Sequence, residues 1–194
     1  MRIALDIDRV LADFDTRLVY CLDKLYGLKL APSDIVMDNF KALFCLDKQE
    51  ESILFEEVFS GIDHFPPVSG AIEGCELLLE NDIELILVTA RIKKEITYEW
   101  VAEYFPTITF PLYFKEDVGD IPSADYFLDD APYKIAKYYD KITEQCFLMD
   151  TIQNKDCINL GNKYQRVYGW FDFLERIQKD NPNLNLRRTE YARK

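Results

Sequence analysis

Apolar positions along the chain fall into two kinds of run. Short continuous runs predict buried strands: Ile3-Ala4-Leu5 with Ile7, Ile83–Val88, Ile108–Phe114, Ala124–Leu128 and Gln145–Met149. Between them, apolar residues recur at helical spacing. Those stretches predict helices over Asp13–Leu28, Phe40–Leu46, Lys48–Phe59, Gly70–Glu80, Lys93–Tyr104 and Pro132–Tyr138. Tyr164–Ile177 reads as a short extended piece followed by a last helix, and Asp180 onward as a polar tail. Gly27 is a helix stop, and Ala31-Pro32-Ser33-Asp34 reads as a loop ending in a helix N-cap. Pro111 lacks a donor for a ladder, so the run that holds it belongs at a sheet edge or a bulge. From residue 70 on, helix and strand alternate. That order predicts an α/β fold with a doubly wound parallel sheet, whose strand C-terminal ends share one edge.

The polar residues at those ends change the picture. Asp6 and Asp8 close the first apolar run. Thr89, Ala90 and Arg91 follow the second, Lys115 lies just past the third, and Asp129 and Asp130 close the fourth. Two carboxylates at the end of a buried strand repel and lose hydration, which costs several kcal/mol unless a cation compensates them. A hard cation bound by oxygen ligands, Mg²⁺ above all, meets that need. In open α/β sheets the strand ends are also where ligands bind.

Composition narrows the classes. The formal net charge is −12, which disfavours sequence-independent binding of nucleic acid. The longest apolar runs are too short to span a membrane, and the N-terminus runs directly into a strand pattern with no signal-peptide layout. Five widely spaced cysteines (Cys21, Cys45, Cys75, Cys146, Cys157) without a CxxC argue against a disulfide framework and for a reducing, cytoplasmic setting. The single histidine, His64, sits in a turn-like stretch and reads as structural or surface.

Taken together, DIDRV near the N-terminus, LVTAR at the end of a strand, a lysine after the next strand, and FLDDAP resemble the four motifs of the haloacid dehalogenase superfamily. Within it, MRIALDIDxVLADF, the helical insert and the PPVSGAIEG return are most similar to the 5′(3′)-deoxyribonucleotidase-like phosphatases. The resemblance implies a Rossmann-like core over residues 1–14 and 69–194, with a small helical cap over 15–68. It implies that Asp6 attacks phosphorus, that Asp8 is general acid and then base, and that Thr89 and Lys115 hold the phosphoryl group. Metal ligation is expected from Asp6, Asp8, Asp129 and Asp130, with Mg²⁺ as the cofactor. Ala90, Arg91, Arg9 and Phe14 are expected around the substrate. Lys93 and Lys94 rival Lys115 for the phosphate. Of the cap aromatics, Phe14, Tyr20 and Phe44 are the candidates to face the site.

One position departs from the pattern. The family's usual residue after the second aspartate is glycine, and this chain has Arg9. Three readings are open: Arg9 retunes the turn, places a guanidinium near the substrate phosphate, or points to solvent. The activity expected is hydrolysis of small phosphate esters, deoxyribonucleoside monophosphates among them. Alternatives are the same chemistry on another small phosphate or on a nucleic-acid end, dehalogenation, and a silent binding protein of the same fold. The expected partners are a small phosphorylated substrate and a second copy in a homodimer, with no membrane.

Overall fold

The computed structural model describes residues 1–114, 120–143, 145–157 and 164–186, the side chains of 137–140 excepted. Lys115 therefore lies outside the described residues. Six strands form one parallel sheet: β1 (Arg2–Leu5), β2 (Glu84–Thr89), β3 (Leu112–Phe114), β4 (Tyr126–Asp129), β5 (Cys146–Met149) and β6 (Gln165–Val167). Their order is β3-β2-β1-β4-β5-β6, with every neighbouring pair parallel. β1 is central because it is apolar on both faces. Ile3 and Leu5 enter one buried cluster, Ala4 the other, and none of the three is exposed. The Pro111 run is the edge strand, and only Leu112–Phe114 is paired.

Seven helices are described: α1 (Phe14–Tyr26), α2 (Phe40–Phe44), α3 (Lys48–Val58), α4 (Ala71–Glu80), α5 (Lys94–Tyr104), α6 (Pro132–Ile142) and α7 (Trp170–Asp180). The larger cluster packs α1, α4, α5 and α7 against Leu85, Leu87, Leu128 and Phe147. On the opposite face, Ile135 and Ile142 of α6 cover Ile86, Val88, Phe127 and Leu148. Gly27 ends α1 in the left-handed region at φ +67°, where a side chain would be strained. No helix among the described residues is long and apolar enough to cross a membrane. All five cysteines are free thiols.

Two local expectations are corrected. Asp34 does not cap a helix. Pro32–Asp34 form a single 3₁₀ turn, and the next helix starts at Phe40, capped by the Asn39 side chain, which accepts from the Ala42 N–H at 3.0 Å. The stretch after Asp180 is not wholly a solvated tail. Leu186 is buried, and Asn185 exchanges hydrogen bonds with the Asn81 side chain at 2.8 and 3.2 Å.

The insert between β1 and α4 is held by one buried cation. Arg17 of α1 donates to the carbonyls of Glu57, Val58 and Asp63 at 2.9, 3.0 and 2.6 Å, which satisfies the C-terminal end of α3. The loop after β1 is fixed from the other side. Trp170 donates its indole N–H to the Val10 carbonyl at 2.8 Å and lies against Gly74, where a Cβ would have no room.

Candidate active site

β1, β2 and β4 deliver their last residues to one place. The Asp6 N–H donates to the Leu128 carbonyl at 2.9 Å, which extends the β1–β4 ladder by one rung and buries Asp6. At the end of β4, Asp129 is fully buried, and its carboxylate accepts from the Ala131 N–H at 2.9 Å. Asp130 follows, held from behind by Asn154, which donates to the Asp130 carbonyl at 2.8 Å. Asp6, Asp129 and Asp130 each offer a carboxylate oxygen within 4.8 Å of the others. Buried oxygens that close suit a hard divalent cation, so the donor set fits the metal implied by the motifs. Burial, reinforced by Asp129 and Asp6, pushes the Asp130 carboxyl up to about 8, against the pull of Lys134 and Arg9.

The chain then doubles back. The Ile7 carbonyl accepts from the N–H groups of Leu11 and Ala12, both at 2.8 Å, and the Arg9 N–H donates to the Ala12 carbonyl at 2.7 Å. Arg9 sits inside this turn at φ +62°. That left-handed conformation costs a non-glycine residue about 1–2 kcal/mol. So the turn has the backbone angle that glycine favours, and Arg9 adopts it. Its side chain does not reach solvent. It makes a forked contact with Asp15 at 2.8–3.1 Å and pairs with Asp38 at 2.6 Å and Asp130 at 3.3 Å. Burial opposes this guanidinium, but Asp15, Asp130 and Asp38 together outweigh it and raise its pKa. Asp15 also accepts from Gln153 at 2.9 Å.

Asp8 is not among the three converging carboxylates. Its side chain goes to Arg91, whose Nε lies 3.2 Å from both oxygens and whose Nη2 lies 2.7 Å from Oδ1. This is the two-pronged geometry that a guanidinium offers a carboxylate. Arg91 is itself caged. Its guanidinium carbon lies 4.5 Å from the Phe65 ring centre and 5.5 Å from those of Phe59 and Trp100. Thr89, fully buried at the end of β2, accepts from the Arg91 N–H at 3.2 Å.

Some of these groups border a cavity of about 780 Å³, while Asp6, Thr89 and Asp129 lie buried behind its lining. Asp8, Arg9, Ala90, Arg91, Asp130 and Lys134 line its polar end, and Phe14, Phe40, Phe55 and Phe59 its apolar wall. The four rings are in mutual contact, with centroids 5.7–6.4 Å apart. Lys48 and Lys93 add two ammonium groups to the lining. Of the three cap aromatics singled out from the sequence, Phe14 lines this cavity and Tyr20 and Phe44 do not. Tyr20 stacks on the exposed His64 at 4.1 Å, and neither it nor Phe44 borders the cavity. Lys94 is also elsewhere, over the Phe114 ring at 4.7 Å.

Sequence reasoning did not single out Phe40, Phe55 and Phe59 from the other aromatics of the insert, and it missed Lys134. Lys134 lies in the first turn of α6, and its Nζ sits 3.3 Å from Asp6, 3.8 Å from Asp129 and 4.0 Å from Asp130. The available signal was its place four residues after Asp130. Helical spacing turns that position back towards the strand end.

Comparison with known proteins bears on the family and the fold. The family model described as 5′ nucleotidase, deoxy (pyrimidine), cytosolic type C protein matches residues 1–179. The chain belongs to that family. It is thereby a hydrolase of the haloacid dehalogenase type, in a family of nucleotide phosphatases. A Staphylococcus epidermidis protein carrying the name "Putative 5'(3')-deoxyribonucleotidase" is 25% identical over 180 residues, which cover 88% of this chain and 92% of that protein. A haloacid dehalogenase family hydrolase of Deinococcus radiodurans, solved with phosphate and sodium bound, superimposes with a TM-score of 0.67 at 11% identity. That match covers 92% of this chain and 95% of the other. YfnB of Bacillus subtilis, solved with magnesium, has a TM-score of 0.59 at 15% identity, covering 92% and 97% of the two chains. The two solved structures share the fold of this 5′-nucleotidase family member.

Proposed function

We propose that this chain is a Mg²⁺-dependent phosphomonoesterase that hydrolyses nucleoside 5′(3′)-monophosphates through an aspartyl-phosphate on Asp6. The observation that carries this reading is the position of Asp6. It is buried beside two further carboxylates, Asp129 and Asp130, and the Lys134 ammonium, and of these neighbours Asp130 and Lys134 line a cavity walled by four phenylalanine rings. In this reading residues 15–68 are a cap over a core of 1–14 and 69–194. Phe40 and Phe55 of that segment line the cavity.

Each chemical step has a residue. An Asp6 oxygen attacks phosphorus, the ester P–O bond breaks, and the leaving alkoxide takes a proton from Asp8. In the second step Asp8 removes a proton from water. The water oxygen displaces the Asp6 carboxylate from phosphorus and inorganic phosphate leaves. The proton taken from water is the one given to the next leaving group, so the cycle closes. Arg91 keeps the Asp8 carboxylate in one place, and the aromatic cage keeps Arg91 in place. Thr89, and Lys115 as the motifs imply, hold the phosphoryl oxygens. Mg²⁺, held by Asp6, Asp129 and Asp130, would offset the negative charge that a carboxylate and a phosphate bring together.

Two experiments test this. The first is a melt with and without metal. Ligand bound at a hundred times its Kd stabilises a fold by about 2.7 kcal/mol. For a chain of this size that is a rise in Tm of roughly 5–10 °C. Mg²⁺ is expected to produce that rise and to support hydrolysis of p-nitrophenyl phosphate; equal midpoints in saturating Mg²⁺ and in EDTA would oppose the metal site. The second concerns substrate choice. Phe55→Ala removes a ring from the cavity wall and touches none of the reacting groups. Stacking on a base contributes about 1–3 kcal/mol. Its kcat/KM is therefore expected to fall about 10–100-fold on nucleoside monophosphates and by less than about threefold on p-nitrophenyl phosphate. Equal losses on both would make Phe55 a packing residue only.

A further inference from the structure

Lys134 has a place that the motifs leave unassigned. They put the phosphoryl-holding ammonium on Lys115, after β3. In the structure an ammonium reaches the strand ends from another direction, the first turn of α6. Ala131 and Pro132 start that helix with extended backbone followed by a proline at its first position, which fixes where the turn begins. Lys134 then extends back over Asp129 and Asp130 to Asp6, at 3.8, 4.0 and 3.3 Å. It is the nearest of these contacts that matters, because Asp6 Oδ2 is an oxygen of the nucleophile. The side chain is 17% exposed and borders the cavity, so it is open to a ligand on one side only.

We propose that Lys134 is a catalytic residue, whose ammonium orients the Asp6 carboxylate and donates to the phosphoryl oxygens of the substrate as phosphorus approaches it. The proposal rests on the phosphatase reading given above. Its physical basis is proximity. In a reactive complex phosphorus lies about 3–3.5 Å from the attacking oxygen. A donor already touching that oxygen is therefore within reach of the oxygens on phosphorus. Two anions meet at this point, and a fixed cation between them costs no reorganisation when charge develops. A competing role is plain charge balance, in which Lys134 only keeps three buried acids apart.

The test compares wild type, Lys134→Met, Lys134→Arg and Lys115→Met as full chains. Three readouts are taken: turnover of p-nitrophenyl phosphate, the Kd of orthovanadate by titration calorimetry in saturating Mg²⁺, and the Mg²⁺ concentration that gives half the rise in Tm. Lys134→Met is expected to lose about 10²–10³-fold in kcat, the scale for removing one preorganised donor. It is expected to bind vanadate about 10–100-fold more weakly. Its Mg²⁺ midpoint is expected to stay the same or fall, because a cation that competes for the acids is gone. Lys134→Arg is expected to recover part of the vanadate affinity. If Lys134→Met keeps wild-type turnover and vanadate affinity while only its melting behaviour changes, Lys134 is a counterion and the proposal is wrong. The proposal is equally wrong if Lys115→Met alone abolishes vanadate binding. A wild type that neither hydrolyses phosphate esters nor binds vanadate would instead overturn the phosphatase reading itself, and the role of Lys134 with it.

Discussion

Asp6→Asn is expected to fold and to lose turnover by roughly 10⁴-fold or more, the scale seen when a nucleophile is removed from a covalent mechanism. The substitution keeps the shape of the side chain and its backbone rung to Leu128. It removes the attacking oxygen's charge and so the aspartyl-phosphate. Its effect on stability has a definite sign. Asp6, Asp129 and Asp130 crowd within 4.8 Å, and the Lys134 ammonium lies 3.3–4.0 Å from all three. Taking one carboxylate charge from three that crowd together relieves the repulsion among them. Lys134 keeps Asp129 and Asp130 as partners. The melting temperature in EDTA is therefore expected to equal or exceed that of the wild type, and the increment on adding Mg²⁺ to be smaller. Near-normal turnover in Asp6→Asn would end the covalent account. A cooperative loss of the fold would mean that Asp6 is needed for structure first.

Asp8→Asn is the second large effect, and it differs in kind. The nucleophile and the three converging carboxylates are untouched, while the group that gives and takes the proton is lost. General acid–base groups contribute about 10²–10⁴-fold. The first turnover is expected to fall by that amount on a nucleoside monophosphate, whose alkoxide needs a proton. It is expected to be nearly unchanged on p-nitrophenyl phosphate, whose phenolate leaves unaided. The second turnover is slow on both, because water has lost its base. Rapid mixing should then show a burst of one p-nitrophenol per site followed by a slow phase. If the first turnover falls equally on both esters, Asp8 is not the acid. The Arg91 clamp decides which substitution is informative at Asp8. Arg91 is almost fully buried under three rings, and removing its partner altogether leaves a buried charge unpaired. The amide still accepts a hydrogen bond from the guanidinium, so asparagine isolates the proton transfer from the packing.

How far the sequence alone reaches is visible in particular residues. The sheet was legible because central parallel strands are apolar on both faces, as Ile3–Leu5 and Leu85–Val88 are. The strand-end acids were legible because carboxylates that close a buried apolar run lose hydration and repel, which marks them out from a plain surface turn. What could not be read was where long side chains go once the strand ends meet. In sequence Arg9 is open to three readings, a guanidinium near the substrate phosphate among them, and Arg91 is expected around the substrate. In the fold the first is engaged by Asp15, Asp38 and Asp130, and the second by Asp8. Asp38 and Asp15 come from the insert, and no local pattern connects them to Arg9. The same holds for the aromatic wall. Phe14, Phe40, Phe55 and Phe59 meet only because α1, α2 and α3 pack together, whereas Tyr20 and Phe44 have the same local appearance and lie elsewhere. Lys134 was overlooked because a lysine in an amphipathic helix normally faces water. Here its position in the first turn sends it to the acids instead.

The central claim is a covalent phosphoryl group on Asp6, and its most direct measurement is the intact mass of Asp8→Asn, quenched in acid after mixing with p-nitrophenyl phosphate and Mg²⁺. The variant forms the intermediate and cannot clear it. Most of the protein is expected to gain the mass of one phosphoryl group, hydroxylamine to remove it, and peptide mapping to place it on Asp6. Absence of any mass gain during measurable turnover, or a phosphoryl group on another residue, would contradict the claim.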